Sequence, residues 1–191
     1  AFWRTMPLPE AAWHGVFHAV SAFCNAGFDL QGEFRSLVLF EQAPIVNGTL
    51  MLLIQAGSLS YIVFADLAVR RRWKLLALDS KLVISGNAAL LAVGTIVFMV
   101  TEWNRTLSET PLVARPMVSL FQSVASRTAG FATVNFADVH AVILFAWVGL
   151  MFVGGASGST AGGVKISTVM VIVSTFVSSL RGATEPTAFG R

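Results

Sequence analysis

One phrase occurs twice in this chain. Phe17-His-Ala-Val-Ser-Ala-Phe-Cys-Asn-Ala-Gly-Phe28 and Phe121-Gln-Ser-Val-Ala-Ser-Arg-Thr-Ala-Gly-Phe131 share Ala-Gly-Phe at their C-terminal ends. From their N-terminal ends they share Phe17 with Phe121 and Val20 with Val124, so one gap holds both alignments. Each copy follows a polar approach and precedes a long apolar segment. The helix expected over 111–126, which carries Pro111 and Pro116, is at most about 24 Å long. That falls short of the ~30 Å hydrocarbon core of a bilayer. Such a helix can enter a membrane but not cross it.

The membrane setting comes from composition. Of 191 residues, 55% are hydrophobic and only 12% charged, and the mean hydropathy is +0.72. That balance excludes an ordinary soluble domain and predicts an all-α integral membrane protein. The formal charge of +3 is too local to indicate nucleic acid. Cys24 is the single cysteine, so no internal disulfide can form. The chain opens without a basic leader, which predicts an internal piece of a longer polypeptide.

In hydrocarbon, a non-helical backbone survives only where it is buried in protein or lines water. Both copies are therefore expected to be re-entrant pore loops: a short helix dips in, and the chain returns extended. Glycine lets successive carbonyls turn toward one axis, where they can replace the hydration shell of a cation. The C-terminal end of each short helix favours positive charge. The candidate ion-binding residues are Asn25, Ala26, Gly27 and Phe28 in the first loop, and Thr128, Ala129, Gly130 and Phe131 in the second. Asn25 and Thr128 are expected to offer main-chain oxygens while their side chains brace the loop from behind.

The first nine residues read as a water-exposed lead-in, and Glu10–Phe23 as the first pore helix. A polar return over 29–42 leads to a span from Pro44 to Ala65. Its Gly48, Gly57, Ser58 and Ser60 suit close helix packing. Arg70-Arg71-Arg72-Trp73-Lys74 then marks a cytoplasmic loop. Leu82–Val100 is an uncharged span leading out, and 104–116 an outer loop of mixed charge. The pore loops thus enter from outside. From 141 to 180 the chain has length for roughly two crossings, divided not by charge but by Gly154, Gly155, Ala156, Ser157, Gly158, Ser159, Thr160, Ala161, Gly162 and Gly163. Such a run is a poor helix interior. It predicts one broken helix interrupted by a mobile loop, placed to act as a gate. Residues 182–191 are expected in the cytoplasm.

Ser-Ala-Phe-Cys-Asn-Ala-Gly-Phe (21–28), Ser-Arg-Thr-Ala-Gly-Phe (126–131) and Gly-Gly-Ala-Ser-Gly-Ser-Thr-Ala-Gly-Gly-Val-Lys (154–165) resemble the Trk/Ktr/HKT superfamily of potassium transporters, most of all its Ktr-type membrane subunits. The resemblance implies membrane helix–re-entrant pore loop–membrane helix repeats, four to a pore. Residues 1–74 would hold the second-repeat pore loop and the helix that follows, and 75–191 the third repeat. Gly27 and Gly130 would be filter glycines, and 154–163 the loop obstructing the path beneath them. The cargo would be potassium, with no organic cofactor. Implied partners are a second copy in a homodimer, a cytoplasmic nucleotide-binding ring, and lipid. The implied location is the cytoplasmic membrane, crossed several times. The first and fourth repeats are absent from this chain.

Alternative readings accompany several of these residues. Gly27 and Gly130 could serve as helix C-caps, and a packing-only scaffold would need no filter. Arg127 reads either as a solvated charge at the outer mouth or as a strut paired with a carboxylate such as Asp138. His14 and His18 share a helix face but lack the glutamate and third ligand of a metal site. Val164 separates Gly163 from Lys165, which departs from a phosphate-binding loop. Lys165 reads as a gate anchor or as a side chain snorkelling to the cytoplasmic edge. No Ser, His and carboxylate converge, so the reading is not an enzyme.

Overall fold

The computed structural model describes residues 6–32 and 35–182. The lead-in before Met6 and the expected cytoplasmic tail after Gly182 lie outside them. The described residues form seven α-helices: α1 Leu8–Phe23, α2 Pro44–Leu59, α3 Tyr61–Arg70, α4 Leu78–Thr101, α5 Arg115–Ala125, α6 Ala141–Phe152 and α7 Ile166–Leu180. No strand forms among them; a single parallel bridge joins Val153 to Val164. The fold class is the expected all-helical one.

α4 is the spine, packing against α5, α7, α6 and α3. With 24 residues it extends about 36 Å, and it is the one described helix long and apolar enough to cross a membrane unaided. Pro116 sits in the first turn of α5, where a missing N–H costs nothing. α5 has only 11 residues, about 16 Å, so the second short helix is briefer still than its sequence limits allowed. The core that joins the two copies contains Ala22, Ile54, Phe121, Val124, Ala129 and Phe131. A second cluster gathers Phe98, Leu107, Val118 and Trp147, with the Phe98 and Trp147 rings stacked at 5.6 Å.

The span expected from Pro44 to Ala65 is not one helix. It breaks at Ser60, where α3 departs from the line of α2 by 91°. Ser60 has φ +72° and ψ 145°, and its hydroxyl accepts from the Ile62 N–H at the start of α3. The carbonyls that would have continued α2 are taken from elsewhere: Gly57 O accepts from Thr160 N at 3.1 Å, and Ser58 O from Ala156 N at 2.9 Å. Within α3, Arg70 pairs with Asp66 at 2.8 Å, and Asp66 also receives the Ala77 N–H at 2.9 Å. The basic turn 70–74 between α3 and α4 is exposed throughout.

The interrupted helix forms as expected, α6 before the glycine-rich loop and α7 after it. The loop is more firmly held than its composition suggests. Gly154 N donates to Val164 O, Val164 N to Phe152 O, and Ile166 N to Gly155 O. These bonds, with the two to α2, pin the loop at both ends and near its middle.

Candidate functional site

The two copies end their helices in the same way. Asn25 (φ +52°) and Thr128 (φ +66°) are left-handed, and so, two residues on, are Gly27 (φ +73°) and Gly130 (φ +80°). At α1, Asn25 N donates to Ala22 O and Ala26 N to Ser21 O, a helix stop with Asn25 at the left-handed position. At α5, Ala129 N and Gly130 N both return to Ala125 O. At α1 the cap is closed by Asn25 and Ala26, with Gly27 beyond it, whereas at α5 the Gly130 N–H itself joins the cap.

What the glycines permit is contact between the copies. A Cβ at Gly27 would stand 2.5 Å from Ala129 O and 2.9 Å from the Gly130 Cα; a Cβ at Gly130 would stand 3.2 Å from the Gly27 Cα. Two main chains meet where no side chain fits. The copies differ in enclosure: Phe131 is buried, while Phe28 is 69% exposed. Beside Gly130 a cavity of about 660 Å³ is lined by Asp29, Arg35, Ser36, Asn135 and Phe136 among others.

The side chains behind these loops reach the glycine-rich segment. Asn25 Nδ2 donates to Thr160 Oγ1 at 2.8 Å, while Asn25 Oδ1 accepts from Ser58 Oγ at 3.2 Å. Thr128 Oγ1 has no partner among the described residues. Arg127 is only 3% exposed, so it is not a solvated charge. Nor does it pair with Asp138, which accepts from Asn135. Thr128 reverses the chain just after Arg127, and the guanidinium lies inward. There it donates to Asn87 Oδ1 of α4 and, at 3.0 Å, to Gly154 O. Lys165 Nζ donates to Ala161 O at 3.0 Å, closing the loop on itself. His14 and His18 remain a pair on α1, with His18 Nδ1 2.7 Å from His14 O; no group of three metal-ligating side chains occurs among the described residues.

A model of the TrkH family, described as cation transport protein, matches residues 8–190. The chain belongs to the TrkH family. Among curated members, it is 39% identical over 183 residues to the potassium/sodium uptake protein NtpJ of Enterococcus hirae, covering 95% of this chain and 40% of that one. It is 33% identical over 191 residues to the Ktr system potassium uptake protein B of Bacillus subtilis, covering 96% of this chain and 42% of that one. The chain thus spans about two fifths of these relatives. The fold is that of the crystallised potassium transporter TrkH from Vibrio parahaemolyticus, with a TM-score of 0.72 at 22% identity, over 98% of this chain and 39% of that one.

Asn87, Gln55 and Thr160 are the contributors that sequence reading did not single out for these contacts. Asn87 Nδ2 donates to Gln55 Oε1 at 2.8 Å. Two amides facing each other from apolar helices are themselves a signal, since polar groups in such helices are usually paired inside the bundle.

Proposed function

We propose that this chain forms part of the pore of a potassium uptake system in the cytoplasmic membrane. Residues 25–28 and 128–131 act as two of its filter strands, and 154–163 as a gate beneath them. The observation that carries the reading is the meeting of Gly27 and Gly130, main chain to main chain, at the ends of two helices too short to cross a bilayer. Oxygens in such a place can strip and coordinate a cation, and the helix ends add partial negative charge. The name of the B. subtilis relative gives potassium as cargo, and that of the E. hirae relative gives potassium and sodium. By the same resemblance the partners are a second copy and a cytoplasmic nucleotide-binding ring. The exposed Arg70–Lys74 turn and the 181–191 tail are the two candidate surfaces for that ring.

The test is Gly130→Ser in the complete transporter. Its Cβ would have to take a φ of +80° and press on Gly27, so the strand must shift. Potassium uptake in competition with sodium should show a loss of discrimination of about 10-fold or more, equivalent to ~1.4 kcal/mol, with the protein still present in the membrane. Unaltered discrimination would instead favour a scaffold in which these glycines serve only packing.

A further inference from the structure

The first candidate filter loop and the glycine-rich loop share one small hub of side chains. Thr160 Oγ1 donates to Phe23 O at 2.9 Å and accepts from Asn25 Nδ2 at 2.8 Å. Ser58 Oγ lies within 3.2 Å of Asn25 Oδ1 and 2.8 Å of Ile54 O. The Nδ2 end of the Asn25 amide is therefore held by the glycine-rich loop, while its Oδ1 end shares the single Ser58 hydroxyl proton of the last turn of α2 with the nearer Ile54 O. The hub rests on Gly57, where a Cβ would stand 2.7 Å from Thr160 Oγ1 and 2.9 Å from Asn25 Nδ2. Asn25 is also the residue that leaves α1 in the left-handed conformation, which is uncommon for a side chain-bearing residue and needs support from its surroundings. That support comes in part from a residue on another loop altogether. At the matching place in the second copy the Thr128 hydroxyl is unpartnered among the described residues, and the tie to the glycine-rich loop runs through Arg127 instead.

We propose that Thr160 is a specificity-determining positioning residue. Its hydroxyl, carried by the gate loop, fixes the geometry of the Asn25–Phe28 strand, so that withdrawing the loop loosens the strand. The inference rests on the filter and gate reading above and adds a consequence to it: ion preference depends on a residue outside the filter strands. A loop that merely obstructs would alter how fast ions pass while leaving their ratio untouched.

Thr160→Val removes the hydroxyl at nearly constant volume, and Thr160→Ser keeps it. In the complete transporter, apparent KM for potassium and the potassium-to-sodium uptake ratio are measured for both. Thr160→Val is expected to lower the ratio about 3- to 10-fold, the scale of one or two hydrogen bonds, and Thr160→Ser to stay within about 2-fold of the parent. A changed maximal rate with an unchanged ratio overturns the proposal. If Thr160→Val does not accumulate, Ser58→Ala, which removes the other hold on the same amide, is expected to move the ratio in the same direction; an unchanged ratio there overturns it equally. Gly130→Ser separates the two levels. If it alters the ratio and Thr160→Val does not, the filter reading stands and only the role of Thr160 falls. If Gly130→Ser leaves the ratio unaltered, both fall together.

Discussion

Arg127 brings a charged group into a site that is 3% exposed, and both of its described acceptors are neutral oxygens, Asn87 Oδ1 and Gly154 O. A guanidinium suits this place because its planar fork reaches two acceptors on different elements at once. An ammonium is a compact point charge and cannot span them in the same geometry. Arg127→Lys is therefore expected to lower stability by about 1.5–3 kcal/mol, the range for hydrogen bonds involving a charged group. Thermal unfolding in detergent would register this as a lower midpoint, and an unmoved midpoint would show that the bridge between α4 and the loop contributes little. The residues announce an arginine beside a candidate filter strand, but not its direction. Solvent and a carboxylate are the two destinations they suggest, and the side chain, bonded to Asn87 Oδ1 and Gly154 O, takes neither.

At the scale of elements, the junction of α2, α3 and the glycine-rich loop leaves little room for added volume. Gly57 and Gly48 lie on the same helix and both read as small residues suited to helix packing. A Cβ at Gly57 would collide with Phe23 O, Thr160 Oγ1 and Asn25 Nδ2, whereas one at Gly48 meets nothing within 4 Å. Gly57→Ala is expected to destabilise by about 1–3 kcal/mol through overpacking. Gly48→Ala should be neutral or stabilising by up to ~1 kcal/mol from helix propensity. Unfolding midpoints of the two purified variants, compared side by side, would check the contrast; equal behaviour would mean the loop is not seated on α2. The kink at Ser60 belongs to the same junction. No proline or charge marks residue 60 in the sequence; what accompanies the kink is the claim of Ala156 and Thr160, about a hundred residues away in the chain, on the last carbonyls of α2.

At the scale of the molecule, large apolar side chains cover much of the outside. Phe145 is 82% exposed, Phe176 64% and Ile172 62%, on helices that would face lipid or neighbouring protein. α1 presents a similar stripe through Trp13, Val16 and Val20. The membrane reading assigns Arg70–Lys74 to the cytoplasm and the 104–116 loop to the outside. In intact cells, a membrane-impermeant maleimide should label Glu109→Cys readily and Arg72→Cys only after permeabilisation, in a Cys24→Ser background. Labelling of Arg72→Cys from outside would invert the topology and both pore loops with it.

The helical membrane class, the two short helices with their Ala-Gly-Phe returns, and the interruption of the last apolar segment were all legible in the residues. Each follows from local facts: hydropathy, segment length against bilayer thickness, and glycine where a helix should continue. The bend of α2 at Ser60, the inward turn of Arg127 to α4, and the binding of the glycine-rich loop to both candidate filter loops emerge only when the chain is folded. Those features depend on which distant carbonyls and amides meet. Hydrogen-bond partners separated by so much chain leave no periodic trace in the residues that make them.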